Sequence, residues 1–113
     1  MRTWTKMKVV HLFPNELKFF GGAVEFFLPL EWYNTWVIYC SEERLCDFHD
    51  LFPLENYATF NTAYKLPADT DALIVHCLHN PAAKFILEQR PDLPIYIQTW
   101  GGDTMTLLDS AWL

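Results

Sequence analysis

Five short apolar runs, separated by polar or helix-patterned stretches, constrain the fold of this sequence more than any other feature. Each run is rich in β-branched or aromatic residues and is almost continuously hydrophobic, which is typical of strands buried on both faces of a parallel sheet. The predicted strands are Lys8–Phe13, Thr35–Cys40, Tyr57–Asn61, Ala72–Cys77 and Pro94–Thr99.

A first helix is predicted between the first two strands, within Glu16–Leu30. Apolar residues recur there at spacings of three and four, which marks one face of a helix. That face comprises Leu17, Phe20, Val24, Phe27 and Leu28. Because glycine is a poor helix former, Gly21-Gly22 predicts that the helix begins near Gly22, and it is expected to stop before Pro29.

A second helix is predicted at Ala82–Arg90, where Asn80 suits the N-cap and Pro81 the first helical position. Its inward face is predicted to comprise Ala82, Phe85 and Ile86. The polar stretch Ser41–Asp50 is predicted to be a loop or a short helix. Strands that alternate with helices predict an α/β fold: a Rossmann-like or flavodoxin-like three-layer sandwich with a mostly parallel sheet.

Length, charge and cysteine content narrow the class of protein. The 113 residues suit a single domain, 1–113, and the net charge of −6 argues against nucleic acid as a partner. Cys40, Cys46 and Cys77 form no CxxC pair, so reduced thiols and a cytoplasmic location are expected. No apolar run is long enough to span a bilayer.

Candidate site residues follow from the topology, because ligands of open parallel sheets bind outside the carboxyl ends of the strands. Those ends carry His11, Asn15, His76, His79 and the run Trp100–Asp103. A histidine in such a place is either an acid, base or substrate ligand or a hydrogen-bonded residue of the sheet.

The glycine pair Gly101-Gly102 admits two interpretations. It could let the backbone approach a ligand closely, or form a tight turn in which Asp103 caps a helix at Thr104–Asp109. No cysteine or histidine spacing is zinc-like, and no GxGxxG, GxxxxGK[ST] or GxSxG motif occurs. The sequence therefore predicts neither a metal nor a cofactor.

Three stretches in the same order resemble one family. KVVHLFPNELKFFGGAVEFF, ALIVHCL and IYIQTWGGDTM are similar to the N-terminal part of the family 56 glycosyltransferases, the 4-acetamido-4,6-dideoxygalactose (Fuc4NAc) transferases of enterobacterial common antigen synthesis and their relatives in polysaccharide gene clusters. The matching positions are His11, Lys18-Phe19, His76 and Trp100–Asp103. This sequence continues with Thr104-Met105 where the family has an apolar residue and Tyr.

The resemblance implies one half of a two-domain GT-B enzyme. In that architecture the N-terminal domain handles the acceptor, a lipid-linked sugar, and the C-terminal domain binds the nucleotide-sugar donor. Family members are longer, so this chain is expected to be a first domain truncated at its C-terminal end. By itself it is expected to be inactive, and the donor would be a partner only where a second domain is present.

The resemblance also implies roles for particular residues. General-base work and stabilisation of the leaving diphosphate would fall to His11, His76 and Asp103 as catalytic residues. Substrate contacts would fall to Asn15, His79, Trp100, Gly101 and Gly102. The domain would lie in the cytoplasm or peripherally on the inner face of the bacterial inner membrane.

A second hypothesis is a non-catalytic, flavodoxin-like binding or interaction module. The acidic charge and the missing cofactor motifs favour it. The apolar end Ala111-Trp112-Leu113 argues against it, and such an end is expected to support self-association or the binding of a partner.

Overall fold

The computed structural model describes residues 6–59, 64–89 and 91–98, and within them five strands form one parallel sheet. The strands are β1 (Lys8–Phe13), β2 (Tyr33–Ile38), β3 (Tyr57–Thr59), β4 (Ala72–His76) and β5 (Ile95–Gln98). The helices are α1 (Leu17–Phe27), α2 (Glu42–Leu51) and α3 (Asn80–Gln89), with a short 3₁₀ turn at Leu28–Leu30 after α1. The predicted α/β class is confirmed.

The strand order is β3-β2-β1-β4-β5, with every described pair parallel. This is the order of a doubly wound Rossmann-like sheet, and it differs from the flavodoxin-like order, in which the third strand lies beside the first. The order reverses between β1 and β4. The carboxyl ends of these two strands therefore form the topological switch point, where ligands of such sheets bind.

Helix α1 begins at Leu17, five residues before Gly22, so the predicted start was wrong. The reason is a close approach: a Cβ at Gly21 would lie 2.9 Å from Cζ of Phe52, so this position favours a residue without a side chain. Phe20, Val24 and Phe27 are buried, as the spacing predicts. Leu28 is 56% exposed, because α1 ends at Phe27 and Leu28 belongs to the 3₁₀ turn that follows.

Helix α2 resolves the choice between a loop and a helix in the polar stretch after β2. Ser41 is its N-cap, and the Ser41 Oγ accepts a hydrogen bond from the backbone N–H of Arg44 at 3.0 Å. Glu42 and Glu43 lie in the first turn, where negative charge interacts favourably with the helix dipole. A single buried residue, Phe48, fixes the helix to the sheet.

Helix α3 starts at Asn80, so Asn80 is a helical residue and not the predicted N-cap. The backbone N–H of Ala83 donates to the carbonyl of His79 at 3.0 Å, which extends the helical hydrogen bonding back to His79. Ala82 and Phe85 are buried and Ile86 is half-buried, which confirms the predicted inward face. Arg90 lies outside the described residues.

Three strands have boundaries that differ from the prediction, and the smallest difference is in β5, which begins at Ile95 and not at Pro94. Strand β2 begins and ends two residues earlier than predicted, because its pairing with β1 starts at Tyr33 and the backbone turns at Cys40, whose N–H donates to Ile38 O at 3.0 Å. Strand β4 ends at His76, since Cys77 adopts a left-handed φ of 59°. The predicted ends at Asn61 and Thr99 lie outside the described residues.

The two faces of the sheet differ in chemistry. The face under α1 and α2 packs aromatic rings, and the face under α3 is mainly aliphatic. The buried members of the first include Phe13, Phe20, Phe27, Trp36 and Phe48. Those of the second include Val10, Leu12, Val37, Leu73 and Val75. Both polar side chains in the buried core, His11 and His76, make ring contacts with members of the first set.

The neighbouring glycines of α1 make a matched pair for a stability test. Gly22→Ala is expected to raise the free energy of unfolding by about 0.5–1 kcal/mol, because alanine is the better helix former and nothing lies within 4 Å of the added Cβ. Gly21→Ala is expected to gain less or to lose, since Phe52 must move. Urea denaturation of both variants measures the difference, and an equal gain at the two positions would contradict the packing described here.

Candidate functional site

Four polar side chains form a hydrogen-bonded chain across four neighbouring strands. Asn34 Oδ1 lies 2.7 Å from His11 Nε2, and His11 Nδ1 lies 2.8 Å from His76 Nε2. His76 Nδ1 lies 2.8 Å from the side-chain amide of Gln98. We call Asn34, His11, His76 and Gln98 the polar chain. All four imidazole nitrogens of the two histidines have a partner within it.

The polar chain crosses the sheet obliquely. Asn34 is the second residue of β2 and His11 the fourth of β1, whereas His76 and Gln98 are the last residues of β4 and β5. The polar chain therefore extends from the amino-terminal part of the sheet, at Asn34, to its carboxyl edge, at Gln98. Only its Gln98 end is exposed; Asn34 is half-buried.

Both histidines are fully buried, with 0% relative exposure. Burial lowers the pKa of His11 to about 3; the neighbouring His76 lowers it further and the hydrogen bond to Asn34 opposes the shift. Burial likewise lowers the pKa of His76 to about 4. The two rings are therefore neutral at pH 7, because charging either one inside the core would be costly.

Aromatic rings enclose the histidine pair. The Trp36 ring stacks on His11 with centroids 4.0 Å apart and planes 12° apart, and the edge of Phe27 meets His11 at 4.9 Å. Phe13 packs against His76 at 5.2 Å. These rings exclude water, which explains why each ring nitrogen must find its partner inside the protein.

At the carboxyl edge of the sheet, the loop after β1 meets the start of α2, on the β2 side of β1. The Nε–H of Arg44 donates to the side-chain oxygen of Asn15 at 2.9 Å, and Arg44 Nη1 lies 2.9 Å from a carboxylate oxygen of Asp47. Asn15 is exposed and Arg44 half-buried. The contacts hold a guanidinium beside the predicted ligand position, where it could bind a carboxylate or a phosphate.

The loop after β4 forms the other side of the switch point. His79 Nδ1–H donates to the carbonyl of Cys77 at 2.7 Å, and burial lowers the pKa of His79 while this hydrogen bond opposes the shift. The N–H of Cys77 donates to the backbone carbonyl of Gln98 at 2.8 Å. This bond ties the ends of β4 and β5 together, so the loop between Cys77 and His79 has a defined position.

The structure thus separates the predicted site residues into groups. His11 and His76 come together, but inside the core; Asn15 and His79 lie on loops at the carboxyl edge. Asp103, Trp100, Gly101 and Gly102 lie outside the described residues. The catalytic role predicted for His11 and His76 stays a prediction, as does the role of the Trp100–Asp103 run.

Sequence reasoning missed Asn34, Gln98 and Arg44. Asn34 and Gln98 are polar residues in otherwise apolar strands, YNTWVI and IYIQ, and this was a usable signal. Successive side chains of a strand point to opposite faces of the sheet. Each of these two amides therefore lies on one definite face, where it can pair with a buried histidine of a neighbouring strand. Arg44 gave no such signal, because its place beside Asn15 depends on how α2 packs.

Residues 6–59, 64–89 and 91–98 contain no group of three His, Cys, Asp or Glu side chains that could hold a metal ion. The same part of the chain contains no helix both long and apolar enough to cross a bilayer.

Comparison with known proteins identifies no relative: no family model, no curated protein and no solved structure matches the chain.

The buried histidines predict a pH dependence of stability. Their folded pKa values lie below the unfolded value of about 6.5, so the unfolded chain binds more protons as the pH falls from about 6.5 toward 4. Stability is therefore fully present above pH 6.5 and is lost below it, at up to about 1.4 kcal/mol per pH unit for each histidine. Urea denaturation from pH 8 to 4.5 measures this slope. An unchanged slope in His11→Leu/His76→Leu would contradict this origin.

The same pair predicts non-additive mutations. His76→Leu leaves His11 Nδ1 buried without its partner, and each single leucine variant is expected to cost about 1–3 kcal/mol. His11→Leu/His76→Leu removes both buried partners and is expected to cost clearly less than the two single changes added together. A double-mutant cycle at pH 7.5 measures the coupling. Additive losses would mean that the histidines do not depend on each other.

Proposed function

We propose that this chain is the acceptor-side domain of a glycosyltransferase resembling the family 56 Fuc4NAc transferases. Such an enzyme would transfer a sugar from a nucleotide-sugar to a lipid-linked glycan in surface polysaccharide synthesis, working at the inner face of the bacterial inner membrane. The observation that carries the proposal is the switch point between β1 and β4. Of the stretches that resemble the family, one (Lys8–Phe27) includes β1 and the loop that follows it, and another (Ala72–Leu78) includes β4 and ends just after it.

The chemistry of the switch point suits a lipid-linked sugar phosphate. Arg44 offers a guanidinium held between Asn15 and Asp47, and a guanidinium can donate two parallel hydrogen bonds to phosphate oxygens. Asn15 and His79 lie on the loops after β1 and β4, which flank the switch point, and could contact the sugar. Trp100–Asp103, which follows β5 in the sequence, would complete the acceptor site.

The histidine pair takes an indirect part in this proposal. A general base must come within hydrogen-bond reach of the hydroxyl that it deprotonates, and His11 and His76 are fully buried. A direct catalytic role for either would need the core to open. Of the three residues predicted to be catalytic, Asp103 is therefore the first choice for the general base, and the pair would help to hold β1 and β4 in register.

The alternative, a non-catalytic interaction module, is supported by a different observation. Phe26 at the end of α1 is 66% exposed, and Tyr96 of β5 is 60% exposed. Exposed aromatic side chains that line one groove favour a binding surface. On this hypothesis the chain binds a partner and no sugar phosphate.

Calorimetric titration of the full chain separates the two functions. A short polyprenyl-diphosphate sugar is expected to bind, whereas dTDP and UDP are not, since the donor half would be elsewhere. Arg44→Ala is expected to weaken the binding about tenfold or more, because a charge-assisted hydrogen bond contributes about 1.5–3 kcal/mol.

Lys84→Ala is the matched control, because Lys84 is an exposed cation on α3, paired with Glu88. It is expected to bind like the unmodified chain. If a folded, monomeric chain binds none of the three compounds, the acceptor-side proposal fails and the interaction module is favoured. If Lys84→Ala weakens binding as much as Arg44→Ala, the attraction is general electrostatics and not a site at the switch point.

A further inference from the structure

A groove of about 560 Å³ runs over β1, β4 and β5, beside the end of α1. This volume lies within the range of small-molecule sites, and such sites combine apolar walls with a few placed polar groups. The walls include Met7, Phe26, Phe27, Trp32, Ile74 and Tyr96. Gln98, the exposed end of the polar chain, also lines the groove.

The direction of hydrogen bonding in the polar chain can be worked out from its protons. A neutral imidazole carries one N–H, so each ring donates once and accepts once. Asn34 Nδ2 faces the carbonyl of Trp32 at 3.4 Å, which leaves Asn34 Oδ1 as the acceptor for His11 Nε2–H. His11 Nδ1 must then accept from His76 Nε2–H, and His76 Nδ1 is left as an acceptor.

Gln98 must supply the last donor. If Gln98 Oε1 is the atom that lies 2.8 Å from His76 Nδ1, both ends of the polar chain are acceptors. The two rings would then need three protons between them, and one of the rings would carry a positive charge. Burial disfavours that charge. An amide turned by half a revolution fills the same space and presents Nε2–H instead. Gln98 is exposed and has room to turn, whereas Asn34 is half-buried.

No other titratable group alters this conclusion among the described residues. Lys18 and Glu25 of α1 are exposed, and so is Tyr96 of β5. His11 is influenced by burial, by His76 and by Asn34, and His76 is influenced by burial and by Gln98. With Asn34 Oδ1 held as the acceptor, the pair is neutral when Gln98 is the donor.

We propose that Gln98 donates its Nε2–H to His76 and presents Oε1 to the groove, which makes the groove a site for a small, largely apolar molecule carrying one hydrogen-bond donor. The donor, an N–H or O–H group, would meet Gln98 Oε1, and the apolar body would lie against the aromatic walls. Gln98 is then the residue that sets specificity. This inference does not depend on the proposed glycosyltransferase function.

The first test reads the protons directly. Long-range ¹H–¹⁵N NMR spectra of the histidine rings at pH 7.5 are expected to show the Nε2–H tautomer for both His11 and His76. If either ring carries its proton on Nδ1, or if the pair is protonated, Gln98 does not present Oε1 and the inference is overturned.

The second test uses two probes of nearly equal shape, indole with its N–H and benzothiophene without one. Backbone amide shifts of Tyr96, Ile97 and Gln98 are followed as each probe is titrated into the full chain. Indole is expected to bind about fivefold more tightly, the effect of one net hydrogen bond. In Gln98→Met, which keeps the length of the side chain but removes the amide, the two probes are expected to bind alike.

Each other result contradicts the inference. Equal binding of both probes to the unmodified chain would show that Gln98 Oε1 does not accept a hydrogen bond from the ligand. A preference for indole that survives in Gln98→Met places the acceptor elsewhere. If neither probe shifts these amides at millimolar concentration, the groove is not a small-molecule site. Calorimetry with the lipid-linked sugar is independent of all three results.

Discussion

The hydrogen bond between His11 and His76 is the constraint on which much of the sheet depends. Two imidazoles buried among aromatic rings must satisfy four nitrogens without water, and an unmet partner costs about 1–3 kcal/mol. The solution uses one side chain from each of β2, β1, β4 and β5. The hydrogen bonds of the two rings are therefore all made only when these four strands hold their observed positions relative to one another.

The sequence predicted the fold well where the hydrophobic pattern decided it. All five strands and both predicted helices exist, since periodicity follows directly from which faces are buried. It failed at Gly21-Gly22, where propensity suggested a helix start and a contact with Phe52 decided otherwise. Glycine has two opposite uses, as a helix breaker and as space for a neighbouring ring, and only tertiary structure distinguishes them.

The site was less predictable than the fold. Topology directed attention to the carboxyl ends of the strands, and it named both histidines of the polar chain. It could not show that His11 faces the core or that its partners would be Asn34 and Gln98, because hydrogen bonds between strands depend on register. Arg44 reaches Asn15 only through the packing of α2.

The polar chain also bears on how this sheet avoids wrong pairings. An apolar parallel sheet is tolerant of strands that slip along one another, because one valine or isoleucine replaces another at little cost. A slip of one residue here would send His11 or His76 to the aliphatic face under α3, where the described core residues offer no polar partner. The four polar side chains thus specify the register of the strands. Compact states of the chain with a shifted register are costly during folding, because they leave these side chains without partners.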